Sequence, residues 1–215
     1  MTFPKHTTEH RINKLKSLSQ SLSKVSITPH FKYEDETDKI ALERFPISSL
    51  TKLGAGSDRI VYDLKDGNVL KVSKNARGLL QNSFETPDYY LAKLVPNVIE
   101  SGLDYVVVEK IDIDHKKANL FIKPLKHLYP RDFDNKTDAI QNAFDQMNIS
   151  EFLNYDILFN DLKAPRNWGF RNGKPVLIDL GTLNKDILDK ESLKYFIPIW
   201  KTVLYRRRQW KKQHA

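Results

Sequence analysis

The sequence predicts an α+β protein in which a strand-rich first half is followed by a helix-rich second half. Three short apolar runs lie between residues 48 and 73, and the turn Asp66-Gly67-Asn68 predicts that the second and third form a hairpin. Apolar residues at helical spacing occur instead at 8–24, 137–153, 186–196 and 199–212. With 215 residues, 40% of them hydrophobic, the chain is long enough for one domain or for one domain split into two lobes.

The individual elements follow from local patterns along the chain. Strands are predicted at 48–53, 59–64, 69–73, 106–109 and 176–179. Residues 28–42 are polar and acidic, as in a connector, and 76–95 is helical or mixed. Thr137 is the expected N-cap of its helix, and Pro198 is expected to separate the last two helices. The predicted units are an N-terminal helix and connector (1–45), a β-rich lobe (46–110) and a helical lobe (111–215).

Composition excludes several classes of protein. The chain has no cysteine, which rules out disulfides, cysteine-ligated metals and cysteine nucleophiles and is compatible with the cytoplasm, where we expect the protein. We expect no membrane association, because no apolar run approaches the length of about 18–20 residues that spans a bilayer.

The positive charge is concentrated at the two ends of the chain. The net charge is +8, and residues 201–215 contain six lysines and arginines and no acid. Such a tail could contact a polyanion, or it could be a solvated cationic helix. In the second case Trp200, Val203, Leu204 and Trp210 would pack on the body, with Arg206, Arg207, Arg208, Lys211 and Lys212 in water.

Two segments of the first half carry residues suited to binding an anion. Gly54, Gly56 and Ser57 lie between two predicted strands, where glycines let backbone N–H groups approach a phosphate, although a plain hairpin turn has the same pattern. Lys71 lies within an apolar strand. It could reach a bound anion, or it could be an edge-strand lysine that deters aggregation.

Two segments of the second half carry carboxylates and amides. Asp161, Lys163 and Asn167 lie in a predicted irregular polar loop, and they could bind a ligand or simply cap their own backbone. Asp179 ends an apolar strand, where a carboxylate is costly unless it is paired or bound to a cation.

These four segments, in this order, resemble the signature elements of the protein-kinase-like superfamily. The resemblance covers residues 50–183 and is greatest to small, divergent kinase-like proteins of bacteria and phages. It implies a two-lobed kinase-like fold with a β-rich N-lobe and a reduced helical C-lobe.

The resemblance also implies roles for the nucleotide-binding residues. Gly54, Gly56 and Ser57 would cover the phosphates of ATP, and Lys71 would hold its α- and β-phosphates. The carboxylate partner of Lys71 would be Glu85, with Glu100 as the rival, and Glu109 would lie at the hinge that contacts adenine through its backbone.

The catalytic roles fall on the second half. Asp161 would accept or orient the proton of the attacking hydroxyl, and Lys163 would neutralise the γ-phosphate, which favours a protein substrate. Asn167 and Asp179 would hold Mg²⁺. The resemblance therefore implies a Mg-ATP-dependent kinase that acts on serine or threonine hydroxyls of a protein.

Several departures from the pattern support other functions. Arg59 replaces the third glycine, and Phe159 and Asn160 replace the residues before the catalytic aspartate. Asn167 lies one position late, where Arg166 takes its usual place. These changes, with the short C-lobe, favour a pseudokinase that binds a protein partner; a small-molecule acceptor is a third possibility.

Overall fold

The computed structural model describes residues 39–83, 85, 93–154, 159–179 and 190–215. The predicted helix at 8–24 and most of the connector at 28–42 lie outside these ranges. Within them, no helix is long and apolar enough to cross a membrane.

A five-stranded antiparallel sheet forms the first half. The order is β1-β2-β3-β5-β4, with β1 (Thr51–Ala55), β2 (Arg59–Asp63), β3 (Asn68–Ser73), β4 (Val98–Ser101) and β5 (Tyr105–Glu109). The predicted β2–β3 hairpin is confirmed. The first strand starts later than predicted, because a short helix α1 (Ala41–Arg44) and a 3₁₀ turn (Ile47–Ser49) precede it. The strand β4 was not predicted, since its sequence Val-Ile-Glu-Ser is neither an apolar run nor an alternating one.

Both faces of the sheet are covered around its central strand β3. Leu70 and Val72 pack with Tyr105 on one face, while Val69 packs with Val106 on the other. Burial on both faces explains why the strands are nearly continuous apolar runs. Lys71 lies on this strand between β2 and β5, so the interpretation of Lys71 as an edge-strand residue is wrong.

The second half is mainly helical. One helix, α2 (Ala76–Ser83), lies before this half and directly follows β3. The helices of the second half are α3 (His115–Phe121), α4 (Pro130–Asp134), α5 (Asp138–Met147), α6 (Phe159–Leu162) and α7 (Lys190–Gln213). A hairpin of β6 (Trp168–Arg171) and β7 (Lys174–Leu177) completes it. Asn172 and Gly173 both have positive φ, as a tight two-residue turn between these strands requires. The fold is therefore the α+β arrangement that the sequence predicts.

The helix predicted at 137–153 is shorter in the structure. It ends at Met147, because Asn148 adopts the left-handed conformation with φ 55°, and a 3₁₀ segment (Ser150–Asn154) follows. Thr137 is the N-cap residue as predicted, but its hydroxyl is buried and makes no hydrogen bond to the described residues.

The two helices predicted on either side of Pro198 form one continuous helix, α7. Proline removes one backbone hydrogen bond from a helix but does not prevent the chain from continuing when packing stabilises both sides. Phe196 and Val203, one on each side of the proline, are both buried. This packing favours a continuous helix over the predicted break.

A core of aromatic and aliphatic side chains holds the second half together. Trp168 at the start of β6 is fully buried, and its indole N–H donates to the carbonyl of Leu162 at 2.8 Å. Its ring meets Phe121 and Phe152 edge to face. This contact fixes α6 beside the β6–β7 hairpin, and so places Asp161 near the end of β7.

Candidate active site

Lys71 forms a buried ion pair with Glu85. The ammonium Nζ lies 2.8 Å from the Glu85 carboxylate, and both side chains are almost fully buried. Glu100, the rival considered from the sequence, accepts instead from Arg44 and from the hydroxyl of Tyr105. The sheet and the segment after α2 therefore bring a cation and an anion together in the interior.

Arg59 joins this pair from the neighbouring strand β2. One guanidinium nitrogen lies 2.5 Å from the same Glu85 oxygen, and another lies 2.5 Å from Asp179. Burial opposes the charged form of Arg59, but Glu85 and Asp179 hold its pKa above the ordinary value. Four charged groups from four segments are thereby linked, with Arg59 shared between two carboxylates.

Contacts from β3 and β2 reach the chain just after β7. Lys71 Nζ donates to the backbone carbonyl of Ile178 at 2.8 Å, and Arg59 pairs with the adjacent Asp179. About half of the Asp179 side chain is exposed. The cations of the sheet and the carboxylate of the helical half therefore meet at the junction between the two halves. Leu180 and Gly181, which follow Asp179 in the sequence, lie outside the described residues.

Asp161 lies in the short helix α6, not in the irregular loop that the sequence predicts. Its Oδ2 atom is buried and has no hydrogen-bond partner among the described residues. Burial and, to a smaller extent, the negative charge of Asp179 raise the pKa of this carboxyl from 3.8 to about 6, against the opposing effect of Arg166. A carboxylate that titrates near neutral pH is suited to accepting a proton.

Asn167 connects Asp161 to the chain that carries Asp179. Its side-chain amide nitrogen donates to the backbone carbonyl of Asp161 at 3.1 Å, and its backbone carbonyl accepts from the N–H of Ile178 at 2.8 Å. Asn167 is buried, whereas Arg166 is exposed. Of these two neighbours, Asn167 is thus the one directed toward Asp161, despite its shift of one position.

Oxygen donors suited to a magnesium ion are present at this junction. Asp179 offers a carboxylate, and the bonded amide nitrogen of Asn167 leaves its amide oxygen as the atom that can bind a metal. Within the described residues, no group of three or more His, Asp or Glu side chains forms a metal cage. The residues fit a hard cation that is also held by phosphate oxygens.

Lys163 does not point to the Asp161–Asp179 junction. Its ammonium donates to the backbone carbonyls of Leu128 at 2.9 Å and Lys126 at 3.3 Å, and it lies over the Phe159 ring. These contacts tie α6 to the segment before α4. Its predicted action on a γ-phosphate stays a prediction.

The glycine pair lies where β1 turns into β2. The N–H of Gly56 donates to the carbonyl of Arg59 at 2.9 Å, which closes the turn, and the Ser57 hydroxyl donates to Asp58. A Cβ built at Gly54 or Gly56 would meet no described atom within 4 Å. Among the described residues, none fills the space beside Gly54 and Gly56. Coverage of a phosphate by these residues stays a prediction.

Glu109 serves as a link between the two halves. Its carboxylate pairs with the Arg171 guanidinium of β6 at 2.5 Å and accepts from Asn97, which lowers its pKa. Its backbone N–H donates to the Asn97 carbonyl at 2.9 Å. The predicted adenine contact through the backbone of Glu109 therefore cannot use that N–H while this bond persists.

The C-terminal helix is attached to the first half by two arginines that were expected to face water. Arg207 pairs with the fully buried Asp104 at 2.6 Å, and Arg206 pairs with Glu43. That expectation is wrong for these two residues, because carboxylates of the folded core lie within their reach. Arg208, Lys211 and Lys212 are exposed, as predicted.

Comparisons with known proteins do not show a family for this chain. No protein-family model matches the sequence, and no curated protein matches it. Among solved structures, the chain is similar to the ternary complex of streptomycin, ATP and APH(2″)-IIa, with 16% identity, coverage of 94% of this chain and 85% of that chain, and a TM-score of 0.35. A score of this size does not establish a shared fold.

Arg59 is the residue of the junction that the sequence analysis did not propose as a site residue. From the sequence, Arg59 is a departure from the glycine pattern that could loosen phosphate coverage or itself reach a phosphate. The register pairs Arg59 with Ser73 and Val61 with Lys71, so Arg59 and Lys71 share one face of the sheet. Strand alternation across the predicted hairpin is the signal that could have placed the two cations together.

Proposed function

We propose that the protein is a Mg-ATP-dependent phosphotransferase with its active site at the junction of the two halves. The observation that carries the proposal is the pair of contacts across this junction, from Lys71 to the Ile178 carbonyl and from Arg59 to Asp179. Cations from the sheet and oxygen donors from the helical half are the groups that a triphosphate and its metal require.

In this proposal each residue has one task in the transfer. Asp161 accepts the proton of the acceptor hydroxyl, whose oxygen bonds to the γ-phosphorus while the bond from that phosphorus to the bridging oxygen breaks and ADP leaves. Lys71, oriented by Glu85, holds phosphate oxygens. Asp179 and Asn167 would hold Mg²⁺, which would neutralise phosphate charge.

Transfer of label from [γ-³²P]ATP tests this directly. With Mg²⁺ and a protein mixture as acceptor, Asp161→Asn should lower transfer by about 100-fold or more, the range of a lost acid-base group. Asp179→Asn should also lower transfer, because a proposed metal ligand is lost. Asp134→Asn, an exposed carboxylate of α4, is the matched control and should transfer as wild type does. Equal labelling by all four proteins would refute the proposal.

The proposed acceptor is a serine or threonine hydroxyl of a protein. The basis is the Asp-x-Lys spacing, although the Lys163 ammonium is bonded to two backbone carbonyls. Phosphoamino-acid analysis of the labelled mixture tests this part alone. Label recovered only in small hydroxyl compounds would assign the other acceptor class and leave the transfer itself standing.

A second candidate is a nucleotide-binding protein that performs no transfer. The Arg59–Asp179 ion pair favours it, because a guanidinium already neutralises the carboxylate that would hold the metal. ATP binding that is unchanged by EDTA, together with no transfer, would support this candidate. Binding that requires Mg²⁺ would count against it.

A further inference from the structure

The C-terminal helix α7 packs on α2, the helix that leads to Glu85. Phe196 of α7 is 4% exposed and lies in one apolar cluster with Leu79 and Leu80 of α2. α2 has only eight residues and includes a glycine and an asparagine. A helix this short is marginal by itself, since isolated helices need about 12–15 residues, so its order depends on packing. α7 supplies part of that packing.

A buried ion pair adds a second attachment between α7 and the sheet. Arg207 donates twice to Asp104, which is fully buried and also accepts from the backbone N–H of Ala41. Arg207 also donates to the carbonyl of Ser73, the last residue of β3, at 2.8 Å. Trp200 lies beneath its guanidinium, 4.9 Å from ring centroid to carbon. The end of the strand that carries Lys71 is thus bonded to α7.

Hydrogen bonds continue from this attachment to the proposed active site. The Asn82 amide at the end of α2 donates to the Ser73 hydroxyl at 2.9 Å, and Arg59 donates to the Asn82 oxygen at 3.4 Å. Arg59 in turn bonds Glu85 at 2.5 Å. A contiguous set of contacts therefore joins Arg207 to the carboxylate that pairs with Lys71.

We propose that α7 is a clamp built into the chain. It holds α2 and the end of β3 in the arrangement in which Glu85 pairs with Lys71. Arg207 is the positioning residue of this clamp. Its importance for catalysis rests on the proposed function, but the clamp itself is a property of the fold. Loss of the clamp would loosen Glu85 and so make the Lys71 ammonium accessible to solvent more often.

Chemical labelling of Lys71 tests the clamp without nucleotide or activity. Reductive methylation of the full chain, followed by mass spectrometry, measures how often Lys71 is accessible, and the half-exposed Lys110 serves as the internal reference. Arg207→Gln should raise the Lys71 labelling rate about fivefold or more, the lower end of coupling between linked sites. The exposed Arg208→Gln, one residue further, should leave it unchanged.

A double variant separates the clamp from mere loss of stability. Arg207→Gln alone leaves a buried carboxylate without its cation. Asp104→Asn/Arg207→Gln removes both charges and should be more stable than the single variant Arg207→Gln. The clamp predicts faster Lys71 labelling and faster amide exchange in α2 in the folded double variant as well. Wild-type rates in that variant would overturn the proposal.

Nucleotide titration of the same variants separates this proposal from the proposed function. Binding of a fluorescent ATP analogue should weaken about fivefold in the double variant if the clamp positions Lys71 for phosphate. No binding by the wild type would refute the proposed function, and the labelling result would still decide the clamp. Wild-type affinity in the double variant would overturn the positioning role of Arg207.

Discussion

Replacing Asp161 by asparagine should stabilise the protein at neutral pH while lowering transfer by about 100-fold or more. The pKa of this carboxyl is about 6 in the folded protein against an ordinary value of 3.8. At about 1.4 kcal/mol per pH unit, this shift is about 3 kcal/mol for a fully buried group, and partial exposure reduces it to about 1–2 kcal/mol. Asparagine has the same shape and carries no charge, so it avoids this cost.

The direction of the pH dependence of stability follows from the pKa of Asp161, which is higher in the folded state than in the unfolded state. Because the folded pKa is raised, the folded protein keeps its full stability below about pH 4 and loses the contribution of Asp161 as the pH rises through about 6. The advantage of Asp161→Asn in free energy of unfolding should therefore grow by about 1–2 kcal/mol between pH 4 and pH 7.5.

Urea unfolding followed by tryptophan fluorescence, at both pH values, measures this difference. Asp134→Asn is the control, since that side chain is exposed and belongs to the same class of substitution. A variant that is no more stable than wild type at pH 7.5, relative to pH 4, would refute the reasoning that Asp161 is strained by burial.

Three further outcomes follow from the same contacts. Glu85→Gln leaves the buried cations Lys71 and Arg59 without their shared carboxylate. It should lower the free energy of unfolding in urea by about 3–5 kcal/mol, and a loss under about 1 kcal/mol would count against a buried ion network. The rate of transfer at limiting ATP should rise tenfold per pH unit below about 6 and then level off, as Asp161 loses its proton; a flat profile from pH 5 to 8 would exclude it as the base. Trp168→Phe removes a buried indole hydrogen bond and should cost about 1–3 kcal/mol by thermal unfolding, whereas an unchanged midpoint would show that the bond is dispensable.

The local pattern of the sequence was sufficient for much of the fold. The hairpin that carries Lys71 was predicted from alternating apolar runs and one Asp-Gly turn, and the structure has it in the expected place. Signals of this kind depend on neighbours in the chain, so they are visible without a structure. The strand β4 has no alternation or apolar run in its sequence Val-Ile-Glu-Ser, and the helix α6 has only one turn, so neither produces such a signal.

Partners of long charged side chains could not be predicted in this way. Arg59 and Asp179 are 120 residues apart in the chain, and Arg207 and Asp104 are 103 apart. Whether an arginine faces water or a buried carboxylate is decided by tertiary packing, which composition does not record. The same reason explains Lys163, whose spacing from Asp161 is as expected while its ammonium bonds to carbonyls elsewhere.

Calorimetric titration with a non-hydrolysable ATP analogue tests most directly whether the two halves enclose a magnesium nucleotide. Wild type should bind the analogue with Mg²⁺ and more weakly with EDTA, and Lys71→Met should weaken binding at least about tenfold, the equivalent of about 1.4 kcal/mol. Asp179→Asn should abolish only the gain in affinity that Mg²⁺ gives the wild type. Absence of binding by the wild type, or equal affinity in all three proteins, would contradict the account.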